Sequence, residues 1–481
     1  MAVEKLALKL HNTLSGQDET FTASGVVTMY NCGPTVYQYA HIGNLRSYVF
    51  ADILKRALIY NDYKVKQVIN ITDVGHNQGD ADEGEDKMEV SARAQKKSAS
   101  ELARFYTDAF LKDLDLLNVD TEGTLFPRAT AHIKEQIELI ETLEKKGFVY
   151  TTSDGVYFDT SKFPAYGKLG KIDLAGLEEG KRVAINKEKR NPTDFAVWKF
   201  SPNSGAGPTV KREQEWPSPW GVGFPGWHIE CSAMVMKLLG QTIDIHTGGI
   251  DHIPVHHNNE IAQSEAATGQ PFARFWLHNA FLNIDGAKIA KSVGNTFYLS
   301  DVVAKGITPL AYRYWLLGAT YRTNMNFTWE ALEASQTAYK KLVAHVSKLQ
   351  TEVGEDGAEK NNKEINKNYS NKFQEAINDD LNTPRAIALI WDLIKDESVP
   401  SLEKLATIAN FDQALGFDLV HQAELLADQA KTAASAEVPA DIQTLIEARE
   451  AARAQKDYQK ADQLRTEIEK KGHKVVDATL N

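Results

Sequence analysis

The chain has 481 residues, 42% hydrophobic and 25% charged, with a formal net charge of −11. Its length exceeds what one core serves, so more than one domain is expected, and its composition is that of an ordinary globular protein. The acidic balance removes the simplest electrostatic sign of nucleic-acid binding, although a local basic face can sit on an acidic chain.

Residues 26–31 (VVTMYN) read as a short buried strand, followed by a Gly/Pro turn and a helical pattern from about 45 to 60. Residues 64–71 (KVKQVINI) alternate and are rich in β-branched side chains, so they read as a second strand. Strand, turn, helix and strand make a βαβ unit and predict an α/β fold with a doubly wound, Rossmann-type parallel sheet. The acidic run GDADEGEDKMEV reads as a loop before a long helix ending near Leu117. Residues 126–200 change texture, with a helix and then short strands and turns. They read as an insertion dividing the sheet domain into 1–125 and 201–300. Alternation resumes with QTIDIH, a helix over HHNNEIAQSEAAT, and FWLHNAFL. Residues 301–328 lead to a helical region, 329–430, and a small charged end, 431–481. Polar joins are expected over 351–368 and 423–439. No apolar run is long enough to span a membrane and no signal peptide is present, so a cytoplasmic chain without a membrane partner is expected.

The chain has two cysteines, too few for a disulfide framework. Cys32 stands nine residues before His41-Ile42-Gly43-Asn44, and Cys231 lies in PGWHIECSAM. On the predicted helix His256 and Glu260 share a face, whereas His257 is turned away by about 100°. Cys32, Cys231, His256 and Glu260 together offer zinc two thiolates, an imidazole and a carboxylate. Their spacing is not that of a zinc finger, and two core thiols beside a polar helix account for the same residues. HIGN opens a helix after a strand, where unpaired N–H groups and the helix dipole suit phosphates. Downstream, DGAKIAKSVGN carries Lys288 and Lys291 three apart on a glycine-flanked loop, a pair suited to clamping a triphosphate. Each motif alone reads equally as surface; their order behind the expected strands favours a phosphate site.

These blocks resemble the cysteinyl-tRNA synthetases, a family of class I aminoacyl-tRNA synthetases, over nearly the whole chain. CGPTVYQYAHIGN is similar to the family's first signature and KIAKS to its second. GWHIECSAM, GGIDHIPVHHNNEIAQSE and SVGNTF occur in family order, and IEAREAARAQKDYQKADQLRTEIEKKG resembles the C-terminal tRNA-binding end. The resemblance implies a catalytic domain with a connective insertion, a stem-contact segment at 301–328, a helical bundle and a small anticodon-binding region. It implies one zinc per chain on Cys32, Cys231, His256 and Glu260. That zinc takes the substrate thiolate and separates cysteine from near-isosteric serine. It implies that L-cysteine is activated with ATP and Mg2+ to cysteinyl-adenylate, then transferred to the terminal adenosine of tRNA(Cys). By the same resemblance His41 and Asn44 serve the phosphates and the transition state, and Lys288 and Lys291 hold the β- and γ-phosphates. Gly249 and Asp251 contact the adenosine, while Gly33, Thr72 and Trp227 shape the cysteine pocket. A monomer is expected.

The sequence departs from the family pattern at Asn44, where histidine is common, and in the Ile-Ala centre of the second signature. An amino-sugar:cysteine ligase on the same scaffold would share the zinc and ATP residues but is not expected to carry the C-terminal end. A non-catalytic tRNA-binding paralogue would be expected to lack signature residues that are present here.

Overall fold

The computed structural model describes residues 6–75, 87–171, 187–201, 213–289, 294–359, 364–435, 440–455 and 457–471. The expected acidic loop near Asp80–Asp86 and Lys291 lie outside them. An N-terminal hairpin, β1 (Lys9–Asn12) and β2 (Gln17–Thr20), which the sequence did not suggest, packs beside the central sheet through Thr13 N–H to the Trp276 carbonyl.

The predicted βαβ unit is β3 (Val26–Asn31), α1 (Ile42–Tyr60) and β4 (Lys64–Ile69). β3 and β4 pair in parallel, and β9 (Ile243–Gly249) and β10 (Ala273–Asn279) complete a parallel sheet of order β10-β9-β3-β4. The chain winds outward in opposite directions from the β3/β9 seam, so a crevice opens there at the carboxyl ends of the strands. α1 starts three residues earlier than its apolar pattern, because His41 and Asn44 form a reciprocal capping box. It is buried on most sides, with Leu45, Val49, Ile53 and Leu54 in the core.

Between the halves of this sheet lie α2 (Lys87–Gln95), α3 (Ala99–Leu116), α4 (Ile133–Lys145) and an antiparallel sheet. Its order is β5 (Val149–Thr151), β6 (Gly155–Phe158), β7 (Phe195–Phe200) and β8 (Gly223–Pro225). The expected end of the insertion at residue 200 falls inside this sheet, since β8 pairs with β7 beyond it. Phe158, Trp198 and Ile140 share one core with Ile229 and Met234 of α5 (Trp227–Leu238) and Ala262 of α6 (Asn258–Thr268). The inserted sheet is thereby braced against the helices that carry the site.

A third sheet joins β11 (Leu282–Ile284), β12 (Ala287–Lys288) and β13 (Met325–Phe327). Helices α7 (Leu299–Ala304) and α8 (Pro309–Leu317) lead to α9 (Trp329–Glu359), α10 (Lys367–Asn378), α11 (Thr383–Lys395) and α12 (Ser401–Leu415). Helix α9 runs into the expected polar join and is broken at Gly354, whose φ is 67°. Phe373 and Phe411 stack at 4.0 Å between α10 and α12. Beneath them Arg313 of α8, fully buried, donates to the Leu117, Asn118 and Leu415 carbonyls and to Asp52 of α1. Arg56 brackets the same carboxylate.

The contacts divide the chain at Val420. Residues 419–435, expected to include a polar join, form helix α13 (Leu419–Ser435). In the second unit α14 (Ala440–Ala454) and α15 (Tyr458–Lys470) make a hairpin closed over Ile442, Ala452, Ala461 and Ile468. No helix among the described residues is long and apolar enough to cross a membrane.

Candidate active site

A cavity of about 370 Å³ opens at the carboxyl ends of β3 and β9. Cys32, Gly33, His41, Asn44, Trp227, Gly249, Asp251 and Lys288, separated by up to 256 positions in the chain, all line it. Each reaches it through an element end: Cys32 follows β3, His41 caps α1, Trp227 opens α5, and Gly249 ends β9.

Below Cys32 sits a cluster of donor atoms. Cys32, Cys231, His256 and Glu260 place one ligand atom each within 4.8 Å of one another, as the sequence proposed. Cys231 Sγ lies 3.6 Å from His256 Nε2, which is 3.1 Å from Glu260 Oε1; Cys32 Sγ lies 3.8 Å from that oxygen. A tetrahedral ion with bonds of about 2.0–2.3 Å sets its donors about 3.3–3.8 Å apart, so two of these three distances match and the His256–Glu260 pair is slightly closer, on a donor set with the chemistry of a metal site.

The supporting atoms fix these donors. His256 Nδ1 meets His228 Nδ1 at 2.8 Å, and Glu260 Oε2 meets His246 Nε2 at 2.9 Å. His246 stacks on Trp276 with centroids 4.4 Å apart, and its Nδ1 has no hydrogen-bond partner among the described residues. Residues 253–257 form a π-helical turn rather than the expected α-helix, so His257 does not turn away. Its Nε2 lies 3.3 Å from Cys32 Sγ and its Nδ1 2.7 Å from His278. A second quartet, Cys32, His246, His257 and Glu260, therefore overlaps the first. The sequence reading missed His246, His257, His228, His252 and His278. Their signal was density: six of 13 histidines fall between residues 228 and 278.

Electrostatics follow from this crowding. Burial opposes ionisation of Glu260, yet His246 and His256 hold its carboxyl below the usual range. Burial likewise opposes the His256 cation, but Glu260 and Cys231 push its pKa up to about 10. A hydrogen bond from the Cys32 thiol lowers Cys231 to about 7, against burial; Cys32 itself is raised by burial and by that bond. Burial and the neighbouring imidazoles depress His257, and His252 falls to about 4. Without an ion Glu260 is thus a carboxylate, His256 a cation and Cys32 a thiol, so a metal on this quartet would have to displace the protons of His256 and Cys32.

The remaining residues are placed as follows. Gly33 crosses the Asn70 backbone so closely that a Cβ would fall 1.5 Å from the Asn70 carbonyl oxygen. Thr72 does not line the cavity: it is 2% exposed and its hydroxyl accepts from Asn70 Nδ2 at 3.0 Å. Trp227 covers His256, with ring centroids 4.6 Å apart. His41 Nδ1 accepts from Asn44 N–H at 3.1 Å, and Asn44 Oδ1 accepts from His41 N–H at 3.2 Å. The segment after the second lysine docks here too, through Ile42 N–H to the Phe297 carbonyl. Lys288 on β12 carries its ammonium over Phe281 at 4.9 Å, and Ile289 covers Gly43.

Residues 19–337 match the family described as the tRNA synthetases class I (C) catalytic domain. Residues 372–397 match the DALR domain and 435–478 the cysteinyl-tRNA ligase anticodon binding domain. A cysteine–tRNA ligase of Burkholderia lata is 48% identical over 98% of this chain and 95% of its own length. One from Treponema denticola is 44% identical over 97% of each. Among solved structures, a Mycobacterium tuberculosis methionyl-tRNA synthetase with methionyl-adenylate superposes with a TM-score of 0.54 at 16% identity, covering 84% of this chain and 91% of that one. The LeuRS–tRNA–LeuAMS complex of Agrobacterium radiobacter K84 gives 0.56 at 12%, covering 84% and 85%. These two likenesses establish the shared fold.

Proposed function

The chain belongs to the cysteine–tRNA ligase family of class I aminoacyl-tRNA synthetases, and on that premise we propose that Cys32, Cys231, His256 and Glu260 hold a zinc ion that selects the substrate. The chain activates cysteine with ATP and charges tRNA. Bound in this donor set, zinc supplies a soft centre that favours a thiolate over a serine hydroxyl. The observation that carries the reading is that Cys32 belongs both to the donor cluster and to the cavity wall. A thiol side chain entering the cavity therefore meets the cluster first.

Neither chemical step needs a protein nucleophile. The cysteine carboxylate attacks the α-phosphate and pyrophosphate leaves; a ribose hydroxyl of the terminal adenosine then attacks the cysteinyl carbonyl, breaking the acyl–phosphate bond and releasing AMP. Gly33 and Trp227 bound the amino-acid end, and Thr72 acts from beneath by holding Asn70, whose side chain accepts from Gly33 N–H. Gly249 and Asp251 border the adenosine side. His41, Asn44 and Lys288 face the phosphates, which Mg2+ accompanies, and Lys291, outside the described residues, takes the same role by the family's second signature. Their contribution is positioning and stabilisation of charge that develops on phosphate oxygens. Asn44 still donates through its amide, so its departure from the family pattern is compatible with activity. The same reading makes tRNA(Cys) the acceptor and the chain a cytoplasmic monomer, where two free thiols stay reduced.

The test is cysteine-dependent ATP–pyrophosphate exchange, with serine in parallel, followed by charging of tRNA(Cys). Exchange with cysteine and none with serine is expected. Exchange with neither, in protein that contains stoichiometric zinc, would overturn the reading in favour of a non-catalytic relative.

A further inference from the structure

Four aromatic rings gather at the rim of the cavity, away from the donor cluster. Tyr39, which lines the cavity, packs against Phe105, Tyr106 and Tyr298 with centroids 5.9, 5.0 and 5.8 Å apart and planes at 67°, 87° and 62°. Tyr106 is buried, but Tyr39 and Phe105 each remain 42% exposed. Three rings fix the plane of Tyr39, yet part of that ring and of Phe105 faces solvent. The ammonium of Lys97 lies 4.0 Å from the Phe105 centroid. Residues 96–105, KKSASELARF, carry Lys96, Lys97 and Arg104 against one carboxylate, Glu101. That carboxylate already accepts from the backbone N–H and the hydroxyl of Ser98 as a helix cap. Glu213 accepts from Ala99 N–H and Asp301 from Tyr298 N–H, so the patch is mixed in charge, with Lys97 the cation set against an exposed ring.

We propose that this patch is a stacking platform for the unpaired 3′ end of tRNA as it enters the cavity. The inference rests on the function proposed above and adds the surface that receives the acceptor end. Single-stranded RNA is recognised by stacking its bases on exposed aromatic rings and by pairing its phosphates with Lys and Arg. Both elements are present side by side, and Tyr39 makes the patch continuous with the cavity wall. A base on this platform leaves the next nucleotide pointed at the site, and stacking accepts any base identity, as a shared 3′ end requires. An apolar protein partner would have little use for three cations within ten residues.

The test uses the full chain carrying Phe105→Ala or Lys97→Ala, neither of which lines the cavity. Cysteine-dependent ATP–pyrophosphate exchange is expected to stay at the parent level, while kcat/KM for charging tRNA(Cys) falls roughly tenfold, chiefly through KM. The parent's preference for intact tRNA over tRNA trimmed of its unpaired 3′ nucleotides should shrink by the same factor. Phe105→Trp should retain charging and Phe105→Leu should not. Lys97→Ala should also reduce the salt slope of tRNA binding by about 0.7. Unchanged charging and unchanged preference would overturn the platform, as would equal losses in exchange and charging, which mark a packing defect. No exchange in the parent chain would overturn the proposed function and the platform with it.

Discussion

Two of the buried charge clusters among the described residues are built on opposite principles. Around Arg313, donors and acceptors are matched. The guanidinium is spent on three carbonyls and Asp52, and Asp52 also receives Arg56 and the Asp120 backbone N–H. Around Glu260, acceptors and soft atoms crowd together in excess, with two thiols and several imidazoles sharing one carboxylate. Burial of a charge is therefore not in itself a sign of function. The saturated cluster joins α1, α8 and α12 and asks for nothing more, whereas the other gathers thiol, imidazole and carboxylate ligand atoms within 4.8 Å of one another, as a metal site would.

That contrast can be broken most directly at Arg313. Arg313→Leu leaves Asp52 without its buried partner and should lower folding stability by about 3–5 kcal/mol, measured by denaturant unfolding, with metal content of the folded fraction unchanged. If metal is lost as well, the two clusters are not independent. Glu260→Gln should do the reverse. Zinc content should drop below one per chain and kcat/KM for cysteine should fall more than about a hundredfold, since even outer partners of metal ligands are worth that much. Full zinc occupancy with an unchanged KM for cysteine would remove Glu260 from the donor set. Lys288→Ala tests a third kind of charge, exposed on the rim. Exchange should slow by about one to two orders of magnitude with zinc content and KM for cysteine intact.

Acid sharpens the comparison further. Burial raises the Asp52 carboxyl, but Arg313 and Arg56 outweigh it and hold the group below its ordinary value of 3.8. Its stabilisation is therefore complete above the unfolded value and is lost as pH falls through the lower folded one. Parent protein should lose stability below pH 3.8 by an increment that is smaller in Arg313→Leu, where only Arg56 and the Asp120 N–H still favour the carboxylate; equal acid sensitivity in both would exclude Asp52 as its source. The smallest effect belongs to the helix cap. Asn44→Ala should cost about 1 kcal/mol of stability, read by the same unfolding curves.

What the sequence disclosed tracks the range of the forces involved. The βαβ unit was legible because the short buried run at 26–31 and the alternation at 64–71 are local patterns. His256 and Glu260 could be joined because four residues on a helix share a face. His257 was misjudged since the π turn before it is set by packing around the crevice and not by propensity. The inserted sheet extended past residue 200 because β8 is only three residues long and owes its existence to pairing with β7. The Asp52–Arg313 pair, 261 residues apart, left no trace in the sequence.

The reciprocal cap at the start of α1 fixes where hydrogen sits on the His41 imidazole. Because the Asn44 amide points its proton at Nδ1 of His41, that nitrogen offers a lone pair and the neutral ring keeps its single hydrogen on Nε2. On the Nε2 side the neutral ring is then a hydrogen-bond donor and not a base. His41 is in this way committed to one direction of giving, by the same bond that starts the helix.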